Sequence, residues 1–336
     1  MRIVLFAGQS KTGTSTLQRH MVKSADALLA QGVLYPRAGR LERGVAHHRF
    51  AASFMAPRSV PAWVPPLAPD AWRKQVEREI AATGAHTLVL ASEMLLFSDV
   101  RALVAALPPA ETRAVIALRR QDLHLDASVQ HQMKTLAYRT FDDARLARRR
   151  ATGRLDYDTT VRRWERAVDS VEILPFESSL FGDGLMHRLL TLAGLTPWPG
   201  MVEPAPENVR LGRDAVELLH RLHFDLGMSR SKALSLRPAL TAWSREHPDP
   251  AEWRHVLPPP QRRRLLDEAE AGNAAIHARH PWSGRDALFM NRDVDQTYAP
   301  YPGLSATTAA SLHTALSPGV ADPALREALD AACRSA

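Results

Sequence analysis

The N-terminal segment carries the pattern that most restricts the fold of this chain. A continuous apolar run, residues 3–7, ends at Gly8, as expected for a strand that is buried on both faces. After a short loop, residues 14–30 place apolar side chains at helical spacing until Gly32 stops the pattern. A buried strand, a glycine-containing loop and a helix in direct succession predict an α/β fold.

Three further apolar runs extend this pattern along the chain. Each lies beside a helix-like stretch and is interpreted as a strand: residues 87–91, 114–118 and 171–176. Strands that alternate with helices predict a mostly parallel central sheet covered on both faces. Beyond Asn208, helical patterns dominate and are clearest at 209–224 and 260–279. We therefore expect one three-layer α/β domain over residues 1–336, with 226–336 as a mainly helical extension.

Composition and charge restrict the class of molecule. Hydrophobic residues make up 45% of the 336 positions, as in folded soluble proteins. The formal charge of +7 suits a partner that carries phosphate, sulfate or carboxylate. One cysteine, Cys333, cannot form an internal disulfide, and no apolar run approaches the ~20 residues of a membrane-spanning helix. We expect a cytoplasmic protein without a membrane span, with peripheral membrane contact left open.

The loop after the first strand resembles the phosphate loop of nucleotide enzymes. Residues 8–15 read GQSKTGTS, so Gly8 and Gly13 have the spacing of that loop. The lysine that normally follows the second glycine is replaced by Thr14, and Lys11 lies before that glycine instead. The alternative interpretation is a glycine-rich turn that binds no anion.

The loop keeps the chemistry of anion binding in spite of its displaced lysine. Backbone N–H groups at a helix start can face an anion, and the hydroxyls of Thr14, Ser15 and Thr16 add donors. A lysine on the loop itself, Lys11, suits a transferring group and the bridging oxygen of a diphosphate-like anhydride better than a magnesium-bound triphosphate. The sequence therefore favours a P-loop-like site for a phosphate-containing anhydride.

A second cationic motif follows the strand at 114–118. Arg119 and Arg120 close that strand, and Ser128 lies eight residues after Arg120, about two turns into the next helix. Arginine can clamp a dianionic phosphate, and a serine hydroxyl can supply a further donor. An arginine at a strand end also commonly pairs with a carboxylate, so this motif gains weight only together with the loop.

Together the two motifs resemble the bacterial branch of the cytosolic-type sulfotransferases, which use 3′-phosphoadenosine 5′-phosphosulfate (PAPS). The segments that carry the resemblance are residues 11–18 (KTGTSTLQ) and 118–122 (LRRQD). Weaker matches follow in order over roughly residues 1–225: residues 32–36, 90–93 and 155–157, Trp164, and residues 173–177 and 207–219.

The resemblance implies a role for each motif. In such enzymes the first loop holds the 5′-phosphosulfate end of PAPS, which here implies Lys11, Thr12, Gly13, Thr14, Ser15 and Thr16. The strand-end arginine and the following serine hold the 3′-phosphate, which implies Arg120 and Ser128, with Arg119 as the alternative by one position. No metal is expected, because a sulfuryl group carries less charge than a phosphoryl group.

Sulfuryl transfer also needs a base that takes the proton of the acceptor. Glu93 follows an apolar strand directly, so it should lie at the carboxyl edge of the sheet, where ligands of open α/β sheets bind. A salt-bridging role for Glu93 is an equal alternative. The rival bases are His47 and His48, of which we keep His48 among the catalytic candidates because neutral histidine is the commonest general base.

These inferences predict in-line transfer of sulfate from PAPS to a hydroxyl of a small molecule, by family habit a bacterial saccharide or glycolipid. Lys11 would act on the leaving oxygen and Glu93 as base. Two alternatives remain open: a P-loop nucleotide kinase or NTPase, and a non-catalytic polyanion-binding protein. The second could use the basic run Arg145, Arg148, Arg149, Arg150 and Arg154. We expect no nucleic-acid partner, and the sequence does not indicate an oligomeric state.

Overall fold

The structure, a computed structural model, describes residues 1–140, 142, 145–148, 152–182, 184–198, 201–203 and 210–334. The chain divides into two compact units. The first comprises Met1–Gln121, Arg154–Ala205 and Glu268–Arg292, and the second Asp122–Gly153, Pro206–Asp267 and Asp293–Ala336. A single domain over the whole chain stays a prediction. Arg149 and Arg150 of the basic run and the 207–209 segment lie outside the described residues.

The first unit is built on a parallel sheet of five strands in the order β2-β3-β1-β4-β5. The strands are β1 Arg2–Phe6, β2 Val33–Leu34, β3 Thr87–Ala91, β4 Glu111–Leu118 and β5 Ser170–Pro175. The predicted parallel sheet is confirmed, together with the four apolar runs that become β1, β3, β4 and β5. The short edge strand β2 was not predicted, because two residues are too few to show a period.

Helices connect the strands and form the second unit. They are α1 Thr14–Lys23, α2 Ala25–Leu29, α3 His48–Ala52, α4 Pro69–Thr83, α5 Val100–Ala105, α6 Gln121–Lys134, α7 Tyr157–Glu165, α8 Leu185–Leu192, α9 Arg213–His220, α10 Arg230–Leu234, α11 Arg237–Glu246, α12 Pro259–Arg279, α13 Ala306–Leu316 and α14 Pro323–Arg334. The helix predicted over 14–30 is two helices, because Ser24 leaves the helical conformation at φ −104° and ψ 19°.

Side chains that alternate along the buried strands create the three layers of the first unit. In β1, Ile3 and Leu5 belong to the core on one face of the sheet, together with Phe50, Trp72 and Trp164. Val4 and Phe6 belong to the core on the other face, with Leu17, Met21 and Met186 from α1 and α8. Since successive strand side chains point to opposite faces, helices must cover both faces, and the predicted three-layer arrangement is confirmed.

The second unit is helical and has its own core. Leucines of α9, α11, α13 and α14 meet in this core, among them Leu218, Leu240, Leu312 and Leu329. The helical patterns predicted beyond residue 208 are therefore confirmed where the structure describes them. No described helix is both long and apolar enough to cross a bilayer.

Candidate active site

The sheet topology brings three predicted segments to one edge. β1 is the central strand, with β3 on one side and β4 on the other, and all three run in the same direction. Their carboxyl ends are Phe6, Ala91 and Leu118. The loop after β1, the Ser92–Glu93 pair after β3 and Arg119 after β4 therefore meet at the edge where open α/β sheets bind ligands.

The backbone of the loop has two residues with positive φ, Lys11 and Gly13, as anion-binding concavities often do. Lys11 has φ 71° and Gly13 has φ 75°, whereas Thr12 between them and α1 after them have negative φ. Backbone N–H groups converge on one side when left- and right-handed residues alternate in this way. Gly13 is also the N-cap of α1 and provides no side-chain cap, so the N–H groups of the first turn point toward the same concavity.

Close packing explains both glycines of the loop. A Cβ at Gly8 would lie 2.9 Å from the Thr12 Oγ1 and 3.2 Å from the Ala117 Cβ. Gly13 has a φ of 75°, which L-residues avoid, and a Cβ there would also meet the end of the Leu185 side chain. The buried Thr12 hydroxyl donates to the Gln9 carbonyl over 2.6 Å and closes the loop. Because the hydroxyl proton of Thr12 is used within the loop, the group that Thr12 can donate to a bound phosphate is its backbone N–H.

Arg119 is tied directly to this loop. Gln9 continues the sheet by donating from its N–H to the Ala117 carbonyl, and its side-chain Oε1 accepts from the Arg119 N–H over 3.1 Å. The Arg119 Nη1 donates to the Lys11 carbonyl over 3.3 Å, and the Tyr157 hydroxyl donates to the Arg119 carbonyl over 2.8 Å. The strand-end arginine and the lysine of the loop thus share one edge of the sheet.

Arg120, which the eight-residue interval to Ser128 favours as the 3′-phosphate ligand, contacts Asn291 instead of the loop. Its side chain is buried, and Nη1 donates to the main-chain and side-chain oxygens of Asn291 over 2.6 and 3.3 Å. The Asn291 N–H donates to the Oε1 of Glu177, and the Oε2 of Glu177 accepts from Arg285. Ser128 lies on α6 within the second unit, and its part in phosphate binding stays a prediction.

Glu93 lies against the helix that begins at the loop. The Gln18 Nε2 of α1 donates to the Glu93 Oε2 over 3.2 Å, and Gln18 itself is buried. Gln18 follows Thr14 by one helical turn, a rise of about 6 Å. The carboxylate of Glu93 is therefore anchored about one turn beyond the start of α1. Its side chain remains 30% exposed, which leaves it accessible to a substrate.

His48, the rival base, is a neighbour of Glu93. The His48 Nδ1 lies 2.8 Å from the Ser92 Oγ, and its Nε2 lies 3.9 Å from the Glu93 Oε1. The Ser92 Oγ also accepts from the Met94 N–H over 3.1 Å. Donation of the Ser92 hydroxyl proton to the His48 Nδ1 would put the imidazole proton on Nε2, facing Glu93. Burial lowers the pKa of His48, although the Glu93 charge opposes this shift.

His47 is a structural residue. It is fully buried, its Nδ1 accepts from the Ala91 N–H over 3.1 Å, and its Nε2 donates to the Pro36 carbonyl over 3.0 Å. Both ring nitrogens are therefore used by the backbone, and burial lowers the pKa of His47 to about 3. This geometry leaves no lone pair for a substrate, so Glu93 and His48 are the two remaining candidates.

We expect His47 to make the fold sensitive to acid. In the unfolded chain the His47 side chain has a pKa of about 6.5, whereas in the folded protein its pKa is about 3. Between these two pH values the unfolded state binds a proton that the folded state does not bind, which favours unfolding. The contribution of neutral His47 to the free energy of unfolding is fully present above pH ~6.5 and is lost as the pH falls toward 3. Denaturant unfolding of the wild type and of His47→Asn should show a shallower loss of stability between pH 7 and pH 5 in the variant. His187→Asn is the control, and equal slopes in wild type and His47→Asn would contradict the expectation.

An exposed aromatic side chain lies beside the Glu93–His48 pair. Trp63 is 61% exposed, and its ring meets the His48 imidazole edge to face, with 5.5 Å between the centroids. An exposed tryptophan offers a flat apolar surface to a molecule that approaches the carboxylate. Within the described residues no group of three or more histidine, cysteine or acidic side chains could hold a metal ion. That the reaction needs no metal stays a prediction.

Comparison with known proteins adds a distant likeness. No protein-family model matches the chain, and no curated protein matches it. The chain is similar to a solved structure, a sulfotransferase from Alicyclobacillus acidocaldarius, with 16% identity and a TM-score of 0.38 over 75% of this chain and 98% of that one. A likeness of this degree carries no argument about function, so function has to be inferred from the residues at the sheet edge.

Proposed function

We propose that the protein transfers a sulfuryl group from PAPS to the hydroxyl of a small acceptor. The observation that supports this most is the shared position of three groups at one edge of the sheet: the Lys11 loop, Arg119 and the carboxylate of Glu93. An anion-binding loop with its own cation suits the donor, and an accessible carboxylate one helical turn away suits the acceptor.

The donor end of the proposed reaction rests on the loop. The converging N–H groups of residues 11–16, with the hydroxyls of Thr14, Ser15 and Thr16, would bind the 5′-phosphate of PAPS. As the acceptor oxygen bonds to sulfur, the bond between sulfur and the bridging phosphate oxygen breaks, and charge grows on that oxygen. The ammonium group of Lys11 would stabilise this charge where it develops, which is the usual source of large catalytic effects.

The acceptor end of the proposed reaction rests on Glu93. The acceptor hydroxyl would give its proton to the Glu93 carboxylate while its oxygen attacks sulfur. Gln18 donates to one carboxylate oxygen, and the Nε2 of His48 lies 3.9 Å from the other. We therefore propose Glu93 as the base and give His48 a positioning role, because the carboxylate is the more exposed of the two groups and the His48 ring lies between Ser92 and Glu93.

The 3′-phosphate of PAPS requires a further cation. We propose the strand-end pair Arg119 and Arg120, of which Arg119 contacts the loop and Arg120 is held by Asn291. Ser128 is proposed from the sulfotransferase resemblance alone. A saccharide or glycolipid acceptor and a cytoplasmic location are proposed on the same ground.

Ligand-induced stabilisation tests the donor assignment against the NTPase alternative. We expect saturating adenosine 3′,5′-bisphosphate to raise the melting temperature, because a ligand at 100 times its Kd stabilises the folded state by about 2.7 kcal/mol. ATP with magnesium should give little or no shift. The reverse pattern would favour a kinase or NTPase, and no shift with either nucleotide would contradict a donor site for PAPS.

The same titration separates the two arginines. Arg119→Gln and Arg120→Gln should each weaken binding of adenosine 3′,5′-bisphosphate if both hold the 3′-phosphate. Adenosine 5′-phosphate, which lacks that group, should bind both variants and the wild type equally. The exposed Arg78 of α4 provides the charge-matched control, Arg78→Gln. Equal losses for the two nucleotides in Arg120→Gln would assign Arg120 to support of the fold.

A further inference from the structure

A cavity of about 410 Å³ opens in the first unit near the segment that follows Glu93. Its lining includes two aromatic residues, Phe54 and Phe97, and three arginines, Arg101, Arg163 and Arg166. Neither the proposed donor site nor the proposed base uses any of these side chains.

The residues that line this cavity carry more positive than negative charge, with three arginines and one aspartate. Arg101 and Arg166 make no side-chain hydrogen bond or ion pair with any described residue, whereas Arg163 donates to the Leu96 carbonyl over 3.0 Å. The one carboxylate in the lining, Asp99, accepts from the backbone N–H groups of Arg101 and Ala102 and caps α5. The cavity therefore presents two guanidinium groups that lack an anionic partner in the described structure.

The position of the cavity relates it to the proposed base. Glu93 begins a short 3₁₀ segment that ends at Phe97 in the cavity wall. At the 3₁₀ rise of about 2 Å per residue, the backbone positions of Glu93 and Phe97 are about 8 Å apart. The guanidinium of Arg154 lies 4.3 Å from the centroid of the Phe97 ring, which adds a cation beside this wall.

We infer that this cavity is a subsite for an anionic group of the acceptor. A carboxylate or phosphate on a sugar would bind Arg101 and Arg166, since guanidinium groups bind both anions through paired, charge-assisted hydrogen bonds. The apolar carbons of the ring would lie on Phe54 and Phe97. The link to catalysis rests on the proposed function, because it takes Glu93 as the group that meets the acceptor hydroxyl. Binding of the anion does not depend on it.

Binding of matched sugars tests the inference. Glucose, glucuronic acid and glucose 6-phosphate are titrated against the full chain by ligand-observed NMR, with adenosine 3′,5′-bisphosphate present so that the loop is occupied. We expect at least one anionic sugar to bind about tenfold more tightly than glucose. Preference for glucuronic acid would indicate a sugar acid as acceptor, and preference for glucose 6-phosphate would indicate a phosphorylated one. Equal binding of all three sugars would overturn the inference.

Variants locate the effect. Arg101→Gln combined with Arg166→Gln should remove the preference for the anionic sugar, because both arginines line the cavity and neither has an anionic partner among the described residues. The control removes the same charge from exposed sites elsewhere, as Arg78→Gln combined with Arg245→Gln, and should keep the preference. A preference that survives in the cavity variant contradicts the subsite. The two proposals can fail separately. If the cavity variant alone loses the preference for the anionic sugar, but the wild type does not bind adenosine 3′,5′-bisphosphate, the subsite is upheld and the sulfotransferase proposal is rejected.

Discussion

Replacing Lys11 with asparagine is expected to lower turnover about 10²- to 10³-fold while the affinity for adenosine 3′,5′-bisphosphate changes little. The reason lies in when the ammonium acts. It meets the bridging oxygen as charge develops there, so its loss removes an interaction that is stronger in the transition state than in the bound donor. The measurement is the release of adenosine 3′,5′-bisphosphate from PAPS in the presence of a panel of sugar hydroxyl acceptors.

Asparagine is the informative substitution at this position. Lys11 has φ 71°, a conformation that asparagine tolerates better than alanine does, so the variant removes the charge with little added backbone strain. Lys23→Asn, at the exposed other end of α1, is the matched control and should keep full turnover. Undiminished turnover in Lys11→Asn would remove Lys11 from the leaving oxygen. A large loss of nucleotide affinity would instead make it a ground-state ligand.

Replacing Glu93 with glutamine should lower kcat about 10²- to 10⁴-fold, the range that a positioned general base contributes. Glutamine keeps the size of the side chain and an oxygen that can accept from Gln18, so the loss reports the proton acceptor rather than the packing. His48→Ala should cost less, about tenfold, because the carboxylate that receives the proton remains. Single-turnover rates at saturating PAPS measure both effects without interference from donor binding.

The pair of variants also distinguishes the two candidate bases. If His48 were the base, His48→Ala would show the larger loss and Glu93→Gln would retain most of its rate. Glu77→Gln, at an exposed position of α4, controls for the loss of a negative charge and should leave the rate unchanged. Full activity in Glu93→Gln would end the assignment of this residue as base and leave it the salt-bridging role that the sequence left open.

The fold was largely predictable because its strands are buried. Continuous apolar runs revealed β1, β3, β4 and β5, and the alternation with helices revealed the parallel arrangement. β2 was not predicted because Val33–Leu34 is too short to show a period. The end of α1 at Ser24 was not predicted because the helical spacing of apolar residues continues across it. Local pattern predicts elements well wherever burial of a whole element dictates residue type.

The site was predictable only in part, because its contacts are tertiary. The sequence gives Glu93 and His48 as alternative candidates for the base. Only the fold shows that Ser92 and Glu93 both lie close to the His48 ring. Gln9 and Tyr157 brace Arg119 from distant positions in the chain, which no spacing could reveal. Gln18 did leave a signal, since it is a polar residue one helical turn after Thr14 on a face that is otherwise buried.

The alternation of φ at Lys11 and Gly13 has a consequence for donor selection. A concavity made of main-chain amides recognises negative charge and the shape of an oxyanion, and it is indifferent to the base at the far end of a nucleotide. Discrimination among adenosine, guanosine and uridine donors must therefore reside in side chains beyond the loop. Exchanging the purine of the donor should alter affinity through those side chains while the fit of its 5′-phosphate in the loop stays the same.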